Sequence, residues 1–232
     1  MAKNRHSILG LVMICLACRS NSDGPKPAGA VTPEPNTKAA EAPRAAEPGA
    51  TPAAVGSPAP NFTLPDLDGK PVRLADFRGK IVVLEWFNPE CPFVKASHTK
   101  GSLVGAADKH VATGIVWLAI NSGAAGKQGA GPEKSRAGKE AFGLKHPILI
   151  DESGTIGKLY GAERTPHLYV IDAGGVLVYR GAVDNSPDGI GESPAGDKLV
   201  RYVDETIAAL RASKPVAPAE TKAYGCSVKY GS

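Results

Sequence analysis

The sequence predicts an α/β fold, a mixed central sheet flanked by helices with a β extension at the N-terminal side of the domain. Three observations carry this. The run Ile81-Val82-Val83-Leu84-Glu85-Trp86-Phe87 is β-branched, aromatic and nearly all apolar, as a strand buried on both faces requires. Strand-like and helix-like segments alternate after it up to Tyr160. A hairpin late in the chain then demands at least one antiparallel strand.

The elements follow in order. Phe62, Leu64 and Leu67 precede an Asp68-Gly69 turn, and Val72 and Leu74 mark a second short strand; together they form the extension. Asp76 to Lys80 is a turn into the central strand. Pro92 sits in the first turn of a helix reaching about Gly101, with Cys91 as its N-cap. Gly114 to Asn121 is a second buried strand, Gly123 to Gly131 a loop, and Pro132 to Phe142 a helix. Pro147 to Ile150 is a short strand and Ile156 to Tyr160 a short helix. His167 to Asp172 and Val176 to Tyr179 make the hairpin around Ala173-Gly174-Gly175. Asp184 to Gly196 is a polar loop. Leu199, Val203, Ile207 and Leu210 recur at helical spacing and predict a helix over Lys198 to Leu210. The last residues include Tyr224, Cys226, Val228 and Tyr230, too aromatic for a solvated end, so the tail is expected to dock.

The chain divides by composition into residues 1–17, 18–55, 56–212 and 213–232. Lys3, Arg5 and His6 precede the short apolar run Ile8 to Leu16, which reads as a signal peptide too short to span a bilayer. Cys15-Leu16-Ala17-Cys18 resembles a bacterial lipobox, although Cys15 stands where Leu, Val or Ile is usual. Cys18 is therefore the expected lipid-attachment site, the alternative being ordinary cleavage near Ala17. Residues 18–55 are rich in Pro, Ala and Glu and have almost no large apolar side chain, which suits a tether standing between a membrane and a folded domain. The expected location is the cell envelope, outside the inner compartment, facing the periplasm or the exterior.

The 232 residues carry a formal net charge of +4 and 22% charged side chains. That balance, with no basic cluster interleaved by aromatics, argues against nucleic acid as a partner. Four cysteines, two of them in the apolar leader, support neither a disulfide scaffold nor a structural zinc site.

Cys91 carries the chemistry. A thiol after a buried strand and at a helix start meets unpaired backbone N–H groups and the positive end of the helix dipole, which favour the thiolate. Its bland alternative is a small buried hydrophobe.

The chain resembles the thioredoxin superfamily, in particular its exported redoxin (AhpC/TSA-like) branch. The resemblance covers most of Gly56 to Leu210. It rests on Gly56-Ser57-Pro58-Ala59-Pro60-Asn61-Phe62, on Val83 to Cys91, on Thr165-Pro166 and on the Glu220 to Tyr230 ending. It implies a thiol oxidoreductase, either a disulfide reductase or a peroxiredoxin-like antioxidant protein, with no cofactor. The partners would be a protein or small-molecule disulfide or a peroxide, and an upstream thiol reductant. Two departures stand out. Val94 replaces the second cysteine of Cys-x-x-Cys, so Cys-Pro-Phe-Val is a one-cysteine site. Leu84 and Asn88 hold the places of the peroxiredoxin proline and Thr or Ser.

Cys226 is the candidate resolving thiol, provided the tail folds back; otherwise it is a packing residue or a lone tail thiol. Glu85, six residues before Cys91, matches a buried acid that handles protons in thioredoxins; its alternative is a strand-end acid reaching solvent or a lysine. Pro92, Thr165 and Pro166 are the expected substrate-binding residues, with Thr165-Pro166 a cis bond. Arg164 would depress the Cys91 pKa if it pointed inward. From a different class, the chain could be a non-catalytic binding module, or a copper-handling lipoprotein using Cys91, Cys226 and His167. Most of the five histidines are expected at the surface.

Overall fold

A computed structural model describes residues 51–194 and 196–231. Cys18, the leader and most of the tether lie outside the described residues. The central run forms β3 (Val82–Trp86), every residue of it buried. Strands β1 (Thr63–Pro65) and β2 (Pro71–Arg73) form the antiparallel extension before it. Leu74, expected to continue the second strand, instead begins a turn of 3-10 helix through Phe77.

After β3 come α1 (Pro92–Thr99), α2 (Ala106–Val111), β4 (Val116–Asn121), α3 (Gly131–Ala141), β5 (Ile148–Ile150) and α4 (Thr155–Tyr160). The chain then forms β6 (Arg164–Thr165), β7 (His167–Ile171), β8 (Leu177–Gly181), α5 (Tyr202–Arg211) and β9 (Cys226–Ser227). The main sheet has the order β5-β4-β3-β7-β8. β3, β4 and β5 are parallel, while β7 pairs antiparallel with β3 and β8 with β7. The mixed sheet is thus as expected, with β3 at its centre.

Strand alternation sends β3 side chains to two cores. Leu84 and Trp86 pack with Tyr169, Tyr160 and Ile156 beneath the extension and α4. Val83 faces Trp117, Val170, Val203 and Ile207 beneath α2 and α5. Phe87, on the same side as Val83, joins Cys91, Val94, Ala119 and Ile148 beneath α1.

Four expectations need correction. Residues 53–55, assigned to the tether, belong to the fold: Ala53 donates its N–H to Leu159 O at 2.9 Å and Val55 packs on the core. Helix α5 begins at Tyr202 and not at Lys198. The Asn185 side chain accepts from Val200 N–H at 2.8 Å and donates to Lys198 O at 2.9 Å, which keeps that segment out of the helix. The helix after Cys91 ends at Thr99, and α2 is a separate helix that the sequence pattern does not mark. Its six residues follow Gly105, whose φ of 66° is left-handed, and are too few to show a period. Finally, the four described histidines, His98, His110, His146 and His167, are all buried.

Candidate active site

Pro92 fixes the first turn of α1, and Cys91, extended at φ −75° and ψ 123°, is its N-cap. The preceding loop is held from two sides. Asn88 accepts from Glu90 N–H at 2.9 Å and donates to Gln128 O at 3.1 Å, while Glu90 pairs with Lys134 at 2.9 Å. Cys91 is thereby seated with no solvent exposure.

Across from it the Thr165-Pro166 bond is cis, as expected. Both residues are buried, and the Cys91 thiol donates to Thr165 O at 3.1 Å. Pro92, at the helix start, is exposed.

The tail docks. It first runs beside β8, where Thr221 N–H donates to Arg180 O at 3.1 Å, and then crosses to the site. There β9 pairs antiparallel with β6, placing Cys226 opposite Thr165. Val228 N–H donates to Glu163 O at 3.1 Å and the Tyr230 hydroxyl to Ala162 O at 2.7 Å. Upstream, Tyr224 lies 6.2 Å from the Phe93 ring, and its hydroxyl donates to Asp184 at 2.8 Å. Gly225 is required: at φ +112° a Cβ would stand 2.2 Å from Thr165 O.

This path packs Cys226 against the cluster that holds Cys91 and sets it opposite Thr165, whose carbonyl accepts from the Cys91 thiol. The first turn of α1 serves both sulfurs, Val94 N–H facing Cys91 and Phe93 N–H facing Cys226. Burial pushes the Cys91 thiol up, but hydrogen bonds from Cys226 and Val94 N–H outweigh it and hold the thiol below its ordinary value. Burial and the hydrogen bond given to Cys91 push Cys226 up to about 11. One sulfur is therefore suited to be a thiolate beside a partner that keeps its proton.

Other expected residues lie elsewhere. Arg164 points to solvent and takes no part in holding down the Cys91 thiol. Glu85 is fully buried beneath α1 but hydrogen-bonds to neither thiol. Its oxygens are taken by His98 Nε2 at 2.7 Å and Trp117 Nε1 at 3.0 Å, not by solvent or a lysine. His167 packs against Tyr169 at 4.7 Å on the opposite face of the sheet from Cys91. The Cys91, Cys226 and His167 set does not assemble, and among the described residues no three or more His, Cys, Asp or Glu side chains are grouped to hold a metal ion. The residue that sequence reasoning missed is His98. Its separation from Glu85 carries no local pattern, and only the docking of α1 on β3 brings the two together.

The Redoxin family model matches residues 54–199. The thiol-disulfide oxidoreductase ResA of Geobacillus thermodenitrificans is 36% identical over 126 residues, covering 54% of this chain and 67% of that protein. A Mycobacterium tuberculosis protein named as a peroxiredoxin is 34% identical over 122 residues, 53% of this chain and 73% of its own. Among solved structures, a hypothetical protein from Sinorhizobium meliloti superposes with a TM-score of 0.67 at 27% identity, over 79% of this chain and 98% of that one.

Proposed function

The chain belongs to the Redoxin family, and from that premise we propose that this thiol oxidoreductase works by disulfide exchange through Cys91 and Cys226. Cys91 is the nucleophile in forming the bond and Cys226 its partner thiol. The observation that carries this is their placement at the start of α1: Cys226 packs against the cluster that holds Cys91 and pairs with Thr165 of β6, on whose carbonyl the Cys91 thiol sits at 3.1 Å. The missing cysteine of the Cys-x-x-Cys pattern is in this reading supplied by the tail. Thr165 and Pro166 shape the wall against which the pair sits.

Disulfide exchange is favoured over peroxide reduction by Asn88. It holds the place of the peroxiredoxin Thr or Ser, and its side chain is committed to Glu90 N–H and Gln128 O. Glu85 acts as a positioning residue. Through His98 it ties α1, and with it the sulfur-binding first turn, to the sheet. The partners are a disulfide-bearing substrate and a thiol reductant. Export and anchoring through Cys18 belong to the same reading and rest on the leader sequence.

The test is disulfide mapping by mass spectrometry after mild oxidation, with the reaction of each thiol towards an alkylating agent followed against pH. A Cys91–Cys226 link, together with a Cys91 thiolate below the ordinary value near 9.0, supports exchange. Absence of the link would remove it. For the anchor, Cys18→Ala should release the protein from the membrane fraction; retention there would overturn lipid attachment.

A further inference from the structure

The two sulfurs are unequally placed. Cys91 has no exposure and is backed by Phe87, Val94, Ala119 and Ile148. Cys226, on the tail strand, is partly exposed. Thiol–disulfide exchange is an in-line displacement in which the incoming thiolate approaches one sulfur from the side away from the other. Attack on Cys91 would have to come through the packed side chains behind it. Of the two, Cys226 is the residue open to solvent, and so the one a partner can reach.

Building on the Cys91–Cys226 disulfide of the preceding section, we propose that this bond is opened at Cys226, by a dithiol partner that meets the tail strand, with Cys91 as the leaving group. This reverses the order in which the thiol after the central strand meets the partner. The partner thiolate bonds to Cys226 Sγ as the Cys226–Cys91 bond breaks, and the electron pair departs on Cys91. Val94 N–H and the start of α1 receive that thiolate, and a well-stabilised thiolate leaves faster. The partner's second thiolate then attacks the partner's own sulfur, closes the partner disulfide and expels Cys226, which takes up a proton. The site gains two electrons and the partner dithiol loses two. Of the partner's two protons, one goes to Cys226 and the other to Cys91 or to solvent.

A dithiol is required by the contact between the sulfurs. With a monothiol, the mixed disulfide on Cys226 stays beside the Cys91 thiolate, which expels the monothiol and restores the original bond. A second thiol on the partner completes the reaction before that return.

The experiment uses the oxidised protein. Peptide mapping first establishes the Cys91–Cys226 link, and its absence would defeat the disulfide reading itself. With the link present, reduced glutathione is raised until a mixed disulfide accumulates, exchange is stopped by acid, and the adduct is mapped. Glutathione is expected on Cys226 at least about tenfold over Cys91. Dithiothreitol should complete the reduction at thiol concentrations where glutathione only cycles. Adduct on Cys91, or equal amounts on both, would overturn the assignment of Cys226 as the attacked sulfur. Complete reduction by glutathione as readily as by dithiothreitol would overturn the requirement for a dithiol.

Discussion

Two thiols in contact share their protons unequally, and the structure says which yields first. Cys91 gathers donors from Cys226 and Val94 against the cost of its burial, whereas Cys226 donates to its neighbour and is pushed up to about 11. Removing that donor should therefore raise the Cys91 pKa. Cys226→Ala is predicted to shift the rise in thiolate absorbance of Cys91 to higher pH, and an unmoved titration would show that the helix end alone sets it. Glu85 obeys the opposite balance of a buried acid with a partner. Burial pushes its carboxyl up, but His98 and the Trp117 N–H outweigh burial and hold it below the usual 4.5. An acid lowered in the folded state adds stability that is fully present above 4.5 and is lost as pH falls through the lower folded value. Glu85→Ala should cost about 3–5 kcal/mol in urea unfolding at neutral pH, because His98 is left buried without its acceptor. The variant should also lose the acid limb that this carboxyl contributes. Glu85 itself was legible, since a carboxylate in an apolar strand is conspicuous. Its partner was not, because His98 looks like any helix residue until α1 is laid on the sheet.

At the scale of elements, the tail decides whether the site is closed. The two residues of β9 are too few to hold by themselves, so Tyr224 on Phe93 and Asp184, and Tyr230 on Ala162, anchor the segment on both sides of Cys226. Gly225 is the place where the strap meets the Thr165 carbonyl, and a side chain there has no room. Gly225→Ala is predicted to lift β9 from β6, exposing Cys91 to iodoacetamide and lowering the yield of the Cys91–Cys226 link. An alkylation rate equal to the parent's would show that the strap adapts. Strand β3 and a docking tail could be read from composition, because each depends on a plain surplus of apolar residues, and the cis-proline connection from an X-Pro before a strand together with the thioredoxin resemblance. The start of α5 could not. Leu199 fits the helical period, but Asn185 holds residues 198–200 in another conformation through hydrogen bonds that no period encodes. Helix α2 escaped for the reverse reason, having too few residues to establish a period between Gly105 and Gly114.

For the molecule as a whole, closing the Cys91–Cys226 bond ties the start of α1, beside the central strand, to the last strand of the chain. The loop so closed is longer than the ~100 residues for which chain entropy gives about 4.7 kcal/mol of stabilisation. In the folded state the tail is already docked by hydrogen bonds at Thr221, Val228 and Tyr230, so the link changes little there and acts mainly on the unfolded chain. Oxidation is accordingly predicted to raise the urea midpoint by about 2 M, with a smaller dependence on denaturant because the cross-linked unfolded chain stays more compact. The comparison is made on the same preparation before and after reduction, with thiols blocked. A midpoint that does not move would mean that native strain in the link offsets the entropy, and such a strained bond would be easily reduced. By linkage, a stabilisation of about 4.7 kcal/mol makes the folded pair harder to reduce than the same pair in the unfolded chain, by about 100 mV. The held-down Cys91 thiolate pulls the other way by favouring the reduced form. The measured potential, set beside the urea shift, therefore reads how far the site has been moved from structural bond toward exchangeable one.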